Sequence, residues 1–454
     1  MNPLHLTMNQ LSKLYKQKDI SPVEVTRVLL EETKKKDGEL HSYTTITAES
    51  AISQAKKAES EIFAGVDRGP LHGIPFNLKD NILTAGISTQ AGSPILKDNV
   101  PDVDAPVVPL LLNAGGVLLG KTNMLEFAYG ETNLAMGIVN NPWNLAHTVS
   151  GSSSGSAASV ASGLAYGSLG TDTAGSIRIP SSYCGLVGMK PTYGLVSCEG
   201  VIPLAWSMDN TGPMTRSVMD NAAMLGIISD FDYGAFARSE KSVRNLRIGI
   251  IDMGDDVTDE VRNAVNAIAS ELQKLGAKVK FGVDTAFLDD SSRILMPLLM
   301  AEASAAHEEL LMENAEKYNP IVRDRLEAGS LIPAIDYIRA QRYRNRIVTA
   351  AHQVMDEMDI LITPTTGAPA PRQDNEVDLG NITRYTCPFN IIGFSAMSLP
   401  CGVSASGMPL GLQVVGKPYT ESTMYQVALA CEEITGLSGL VAGGNIHLQN
   451  KEAN

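Results

Sequence analysis

The stretch Ser150-Gly151-Ser152-Ser153-Ser154-Gly155-Ser156 runs straight into Ala157-Ala158-Ser159-Val160-Ala161-Ser162-Gly163-Leu164-Ala165. This junction limits what the chain can fold into more than any other feature. A flexible linker is also rich in serine and glycine, but it does not continue into small apolar residues. Side chains this small let a helix lie close against other backbone, so the run predicts a buried helix entered through a Ser/Gly turn. Such a turn gathers backbone N–H groups and hydroxyls in one place. The lysine and spacing of a phosphate-binding P-loop are absent.

Around this junction, from Pro70 to about Ile228, short apolar runs are broken by glycine. A helix from Asp104 to Leu112, a turn at Ala114-Gly115-Gly116 and a buried strand from Val117 to Gly120 follow in that order, as in an α/β domain on a mixed sheet. Arg247–Ile251 and Ile360–Ile362 read as further strands. The first leads into an amphipathic helix from Asp259 to Leu275, ended by Gly276, and then into a strand at Val279. Residues 285–350 read as almost wholly helical and more charged, an insertion packed against the sheet. Asn390–Val403 and Pro409–Gly416 return to the core, and a helix from Glu421 to Glu433 follows. Near the start, Ser21-Pro22-Val23-Glu24 is a capping box opening a helix to about Lys36, with a second helix from Thr47 to Phe63. Residues 1–65 are therefore expected to form an N-terminal helical layer and 66–454 the main α/β domain, with the helical insertion at about 285–350.

With 36 Lys plus Arg against 50 Asp plus Glu, the formal charge is -14. That balance argues against a chain that coats nucleic acid. No window approaches the roughly 18 uninterrupted apolar residues of a membrane span, and the start MNPLHLTMNQ does not read as a signal peptide. The 5 cysteines are widely spaced and lack a Cys-x-x-Cys. They fit free thiols in a reducing cytoplasm.

Chemistry concentrates in Thr171-Asp172-Thr173-Ala174-Gly175-Ser176-Ile177-Arg178. Small residues there bring several N–H groups near Ser176, and such donors can hold the oxyanion formed when a carbonyl is attacked. Asp172 and Arg178 are expected to pair and brace the loop. None of the 7 histidines lies close by in sequence, so the base for an activated Ser176 need not be a histidine. Lys79 lies in the otherwise apolar run Leu71 to Asn81, preceded by Gly73 and Pro75. A desolvated lysine can act as a base if no carboxylate stabilises its cation. Taken singly, Lys79 fits a base or a surface residue equally, because Asp80 follows it.

Gly73-Ile74-Pro75-x-x-x-Lys79-Asp80, the Ser/Gly run, Thr171–Arg178 and Cys184-Gly185-Leu186-Val187-Gly188-Met189-Lys190-Pro191-Thr192 together resemble the amidase signature family. The likeness extends from the first helices to about Gly436, and within the family is nearest to the smaller stand-alone bacterial amidases. It implies a central mixed, twisted sheet covered by helices on both faces. It also implies a Ser-cisSer-Lys triad, with Ser176 as the acylated nucleophile, Ser152 as the middle serine and Lys79 as the base. Thr173, Ala174, Gly175 and Ser176 would supply the oxyanion hole through their backbone N–H groups, supported by Ser153, Asp172 and Arg178. A cis peptide before Ser152 is costly for a non-proline residue and is expected only where the relay geometry needs it. No metal or cofactor has a part in this scheme. The chain departs from the family pattern at Ser150, Ser154 and Ala174, which replace glycines. Ser150, Ser154 and Tyr129 are candidates for the substrate pocket.

The resemblance implies hydrolysis of a small carboxamide to a carboxylate and ammonia or an amine, by a cytoplasmic homodimer that acts on no nucleic acid or membrane. The family also contains the glutaminase component of glutamyl-tRNA amidotransferase, its A subunit, which supplies ammonia to a partner. There, an aspartate grips the substrate's amino group, and matching through Pro388-Phe389-Asn390 puts Thr383 in its place. An unpaired ammonium would weaken recognition of free glutamine. Arg384, with Arg339 and Arg342 upstream, resembles instead the hydrolases of urea derivatives such as allophanate or carboxybiuret, where arginines could clamp a carboxylate. A structural role for these arginines and an esterase activity remain as alternatives.

Overall fold

The computed structural model describes residues 2–239, 242–375 and 379–443. Its centre is an 11-stranded sheet. In chain order the strands are β1 (Tyr43–Ile46), β2 (Pro75–Lys79), β3 (Val117–Thr122), β4 (Gly167–Asp172), β5 (Val187–Lys190), β6 (Asn210–Thr215), β7 (Arg247–Ile251), β8 (Lys278–Val283), β9 (Ile360–Pro364), β10 (Ser395–Val403) and β11 (Pro409–Gly416). They lie side by side in the order β1-β3-β2-β4-β6-β5-β10-β11-β9-β7-β8. β2 runs parallel to β3 and β4, and β7 to β8 and β9. The other pairs are antiparallel, so the sheet is mixed.

The inner strands are covered on both faces. β2, β3, β4, β5, β6, β9 and β11 are buried along their whole length, and such strands show no apolar/polar alternation. This is why β4 and β6, rich in glycine and hydroxyl residues, escape a reading by hydrophobic pattern. Their glycines answer to close approach. A Cβ on Gly212 would lie 2.0 Å from the Met189 carbonyl oxygen, and one on Gly170 would lie 2.8 Å from Ser153 Oγ.

Helices flank the sheet. The first long one runs Pro22–Leu40, capped by Ser21 Oγ, which accepts the Glu24 N–H at 3.0 Å. It extends one turn beyond the expected end and closes on His41 at φ 53. The charged stretch after Thr285 forms three helices, Ala286–Asn314, Pro320–Ser330 and Ala334–Asp356, the first packed on both others. At the N-terminus, Arg216 donates to the carbonyl of Leu6 at 2.7 Å and also to that of Leu4. Asp220 accepts the Met8 N–H at 2.9 Å, which ties the first segment to the core. No helix among the described residues is long and apolar enough to cross a membrane.

The helix predicted after the serine run spans Ser154–Ala161 and all eight of its residues are buried. It begins inside the serine run and ends just before Gly163, whose φ of 74° a side chain would resist. It packs on β2, β3, β4 and β6, which carries the serine turn to the ends of the strands bearing Lys79 and Thr171.

Candidate active site

Lys79 is the last residue of β2 and is fully buried. Its Nζ donates to Ser152 Oγ at 2.6 Å, to Thr171 Oγ1 at 2.7 Å and to the Thr171 carbonyl at 3.4 Å. Among the described residues no carboxylate lies within ion-pair distance of it. Burial therefore governs its protonation and lowers its pKa to about 7, against the more distant pull of Asp172 and Asp209. Asp80, the next residue, points elsewhere, as alternation along a strand requires. Its carboxylate faces Lys121 at 3.7 Å and accepts the Gln90 N–H at 3.2 Å.

The Gly151–Ser152 peptide is cis, and Ser152 is buried with its carbonyl accepting the Leu125 N–H at 3.2 Å. Ser153 locks the turn to the neighbouring loop. Its N–H donates to the Ser176 carbonyl at 3.1 Å, and its Oγ bridges the Thr171 backbone, donating to the carbonyl at 3.2 Å and accepting the N–H at 3.3 Å. The turn and the Ser176 loop therefore abut. Ser176 is half-buried, unlike Lys79 and Ser152, and so the site is open at the serine and closed at the lysine.

Asp172 and Arg178 pair as expected, both fully buried. Arg178 Nε and Nη2 reach the two carboxylate oxygens at 3.0 and 2.9 Å. Arg178 also donates to the Thr386 carbonyl at 2.9 Å and to Gln413 Oε1 at 2.7 Å, which nails the loop to the sheet. Burial would raise the Asp172 pKa, but the guanidinium beside it holds the carboxyl well below the usual range. The same carboxylate corrects one expectation about the oxyanion hole. The Gly175 N–H is already donated to Asp172 Oδ1 at 2.8 Å, so it faces away from a substrate. Among the described residues, the N–H groups of Thr173, Ala174 and Ser176 have no protein acceptor.

The expected pocket residues fare unevenly. Tyr129 is buried in the loop that follows Leu125. Its carbonyl accepts from Arg325 at 2.7 Å, its hydroxyl has no partner among the described residues, and burial raises its pKa. Ser154 Oγ is likewise buried and without a partner among the described residues, whereas Ser150 is half-buried at φ 59. Arg384 is not available as a carboxylate clamp, because it meets Asp256 at 2.7 Å and Asp289 at 3.3 Å. Arg339 is exposed and pairs with Asp336, and Arg342 is exposed as well. Arg344, one turn along the same helix, has no carboxylate within 4 Å among the described residues. Its guanidinium is engaged by protein acceptors, donating to Ser207 Oγ at 3.0 Å, to the Ser207 carbonyl at 2.9 Å and through Nε to the Ile391 carbonyl. Burial lowers its pKa.

Sequence reading assigned no role to Thr171, Asp209 or Thr386. Thr171 is a second acceptor for Lys79, Asp209 accepts from Thr173 Oγ1 at 2.6 Å, and Thr386 Oγ1 donates to the Ala174 carbonyl at 2.7 Å. Thr171 stands inside a motif that could have drawn attention. Nothing local marks the other two.

An α/β sheet that carries a buried lysine against two serine turns is the architecture of the amidase signature enzymes. Residues 24–424 match the family model described as Amidase, and the chain belongs to that family, whose members hydrolyse amide C–N bonds. Among proteins it resembles, it is 35% identical to the A subunit of the glutamyl-tRNA(Gln) amidotransferase of Gloeothece citriformis (strain PCC 7424), over 94% of this chain and 98% of that one. A crystal structure of an amidase superposes with a TM-score of 0.87 at 31% identity, covering 94% of this chain and 100% of the other. A chain from a vestigial protein complex, solved for what it reveals of the origins of an s-triazine catabolic enzyme, superposes with a TM-score of 0.89 at 28% identity, covering 96% and 100%.

Proposed function

We propose that this chain hydrolyses a small carboxamide through an acyl-enzyme on Ser176, releasing ammonia or an amine and then the carboxylate. The observation that carries the reading is the buried Lys79 Nζ, 2.6 Å from Ser152 Oγ with no ion-pair partner among the described residues. Neutral Lys79 takes the proton of Ser152 as Ser152 takes that of Ser176, and Ser176 Oγ bonds to the amide carbon. The oxyanion is held by the N–H groups of Thr173, Ala174 and Ser176. As the C–N bond breaks, the relay returns the proton to the leaving nitrogen. Water, activated by the same relay, then cleaves the ester.

Glutamine is the first amide to test, because relatives at 34–36% identity are amidotransferase A subunits. A second reading, a stand-alone amidase for another small amide, is favoured by Thr383, which offers the ammonium of glutamine no carboxylate.

The test is ammonia and acid release by the purified chain over glutamine, asparagine, aliphatic and aryl amides, malonamate, allophanate and biuret derivatives, with Ser176→Ala alongside. Turnover of glutamine by the chain, or only after the other components of an amidotransferase are added, supports the first reading. Turnover of another amide by the chain alone supports the second. Undiminished hydrolysis by Ser176→Ala would overturn both. Light scattering on the same preparation reads whether the chain is the expected homodimer.

A further inference from the structure

Three successive backbone positions before Ser176 are each held by a different group. The Thr173 hydroxyl donates to Asp209 Oδ1 at 2.6 Å, the Ala174 carbonyl accepts from Thr386 Oγ1 at 2.7 Å, and the Gly175 N–H goes to Asp172 Oδ1 at 2.8 Å. Among the described residues the N–H groups of Thr173, Ala174 and Ser176 are left over, and these are the donors that the proposed reaction uses. Asp172 is neutralised by Arg178, and Thr386 is uncharged. Asp209 is different: it is a buried carboxylate with no cation within 4 Å among the described residues.

A buried, unpaired carboxylate is costly unless hydrogen bonds replace its water. Asp209 finds these in the Thr173 hydroxyl and in the N–H groups of Leu204 and Ala205, at 3.0 to 3.2 Å. A turn could be closed by a neutral asparagine or serine at lower desolvation cost. What the charge adds is a short bond to Thr173, since a hydroxyl beside a carboxylate must donate and so takes one orientation. The turn that presents Asp209 is itself fixed from the helices after Thr285. Ser207 donates its N–H and hydroxyl to Glu302 at 3.0 and 2.8 Å, and Arg344 holds its carbonyl.

We propose that Asp209 is a positioning residue for acyl transfer: acting through the Thr173 hydroxyl, it aims the N–H groups of the Thr173–Ala174 segment at the oxyanion. The proposal rests on the Ser176 acyl-enzyme reading above. Asp209 touches no reacting atom, so its removal misdirects donors rather than deleting one. Because the donors are needed when charge develops on the oxygen, kcat suffers and substrate binding does not.

The test is steady-state kinetics of the intact chain, with its best amide, for Thr173→Val, Thr173→Ser, Asp209→Asn and the Thr173→Val/Asp209→Asn double variant. Thr173→Val is expected to lower kcat at least about tenfold with KM within about threefold, and Thr173→Ser, which keeps the hydroxyl, to recover most of that loss. Asp209→Asn is expected to lower kcat by a similar factor, and the double variant to be no worse than the weaker single. Wild-type kcat in Thr173→Val, failure of serine to restore what valine lost, or losses that multiply in the double variant would each overturn the proposal. Should Asp209→Asn fail to fold by circular dichroism, the Thr173 pair decides alone. Ser176→Ala separates the two levels: activity there sinks the acyl-enzyme reading itself. A silent Ser176→Ala beside an unimpaired Thr173→Val sinks only the role of Asp209.

Discussion

Replacing Lys79 with methionine tests the acid–base argument most directly, because the structure predicts both the kinetic and the thermodynamic effect. Lys79 is fully buried, and desolvation lowers its pKa from 10.5 to about 7. An ordinary lysine would be neutral in about 1 molecule in 3,000 at pH 7, whereas Lys79 is neutral in about half. The rate of Ser176 acylation therefore halves near pH 7 and falls roughly tenfold per unit below about pH 6.5. Methionine fills the same space without a base, so kcat falls by about 10²–10⁴ and the acid limb disappears. The stability effect has a definite sign. A lysine whose pKa is lower folded than unfolded takes up a proton on unfolding between about pH 7 and 10.5. Its wild-type stability is thus greatest above the unfolded pKa, is lost as pH falls towards about 7 and levels off below that. The slope is about 1.4 kcal/mol per unit. Lys79→Met lacks this slope, although Ser152 Oγ loses its donor at a cost of about 1–3 kcal/mol. Initial rates of ammonia release from pH 5.5 to 9.5, with urea unfolding of both proteins at three pH values, measure the two effects. A profile with its midpoint near pH 9–10, or a stability difference between the two proteins that does not change with pH, would refute the reasoning.

Three further substitutions follow from the geometry. Gly175→Ala places a Cβ about 2.3 Å from Thr386 Oγ1 at a backbone φ of +130°, so it displaces the loop; kcat is expected to fall at least about 10²-fold, read by steady-state kinetics. Arg178→Lys replaces a buried bidentate partner of Asp172 with a single point charge and leaves Thr386 and Gln413 short of donors. A loss of about 3–5 kcal/mol in chemical unfolding is expected, with activity lost alongside. Arg384→Ala removes a guanidinium already tied to Asp256 and Asp289, so KM for an amide that carries a carboxylate is expected to stay within about threefold in steady-state kinetics. A rise of about tenfold or more would restore Arg384 as the clamp.

The serine–alanine junction, Lys79 in its apolar run and the small-residue loop before Ser176 are legible in the sequence, because each is a local statement about backbone. Small side chains permit close approach, and an isolated lysine among apolar neighbours is a candidate for burial. Strands with a continuous run of branched apolar residues, such as β7, can also be read. β4 and β6 cannot, since burial on both faces removes the alternation that marks a strand and glycine and hydroxyl residues take the place of the apolar run. Tertiary structure alone decides which way a charge points. Asp80 turns to Lys121 and leaves Lys79 uncompensated, Arg384 is spent on Asp256 and Asp289, and the Gly175 N–H is spent on Asp172. Asp209 and Thr386 reach the Ser176 loop from residues distant in sequence. The physical reason is that a hydrogen bond or ion pair depends on a few tenths of an ångström between groups the chain has brought together. The amino-acid order sets which groups exist, and only the packed fold sets which of them are left free to do chemistry.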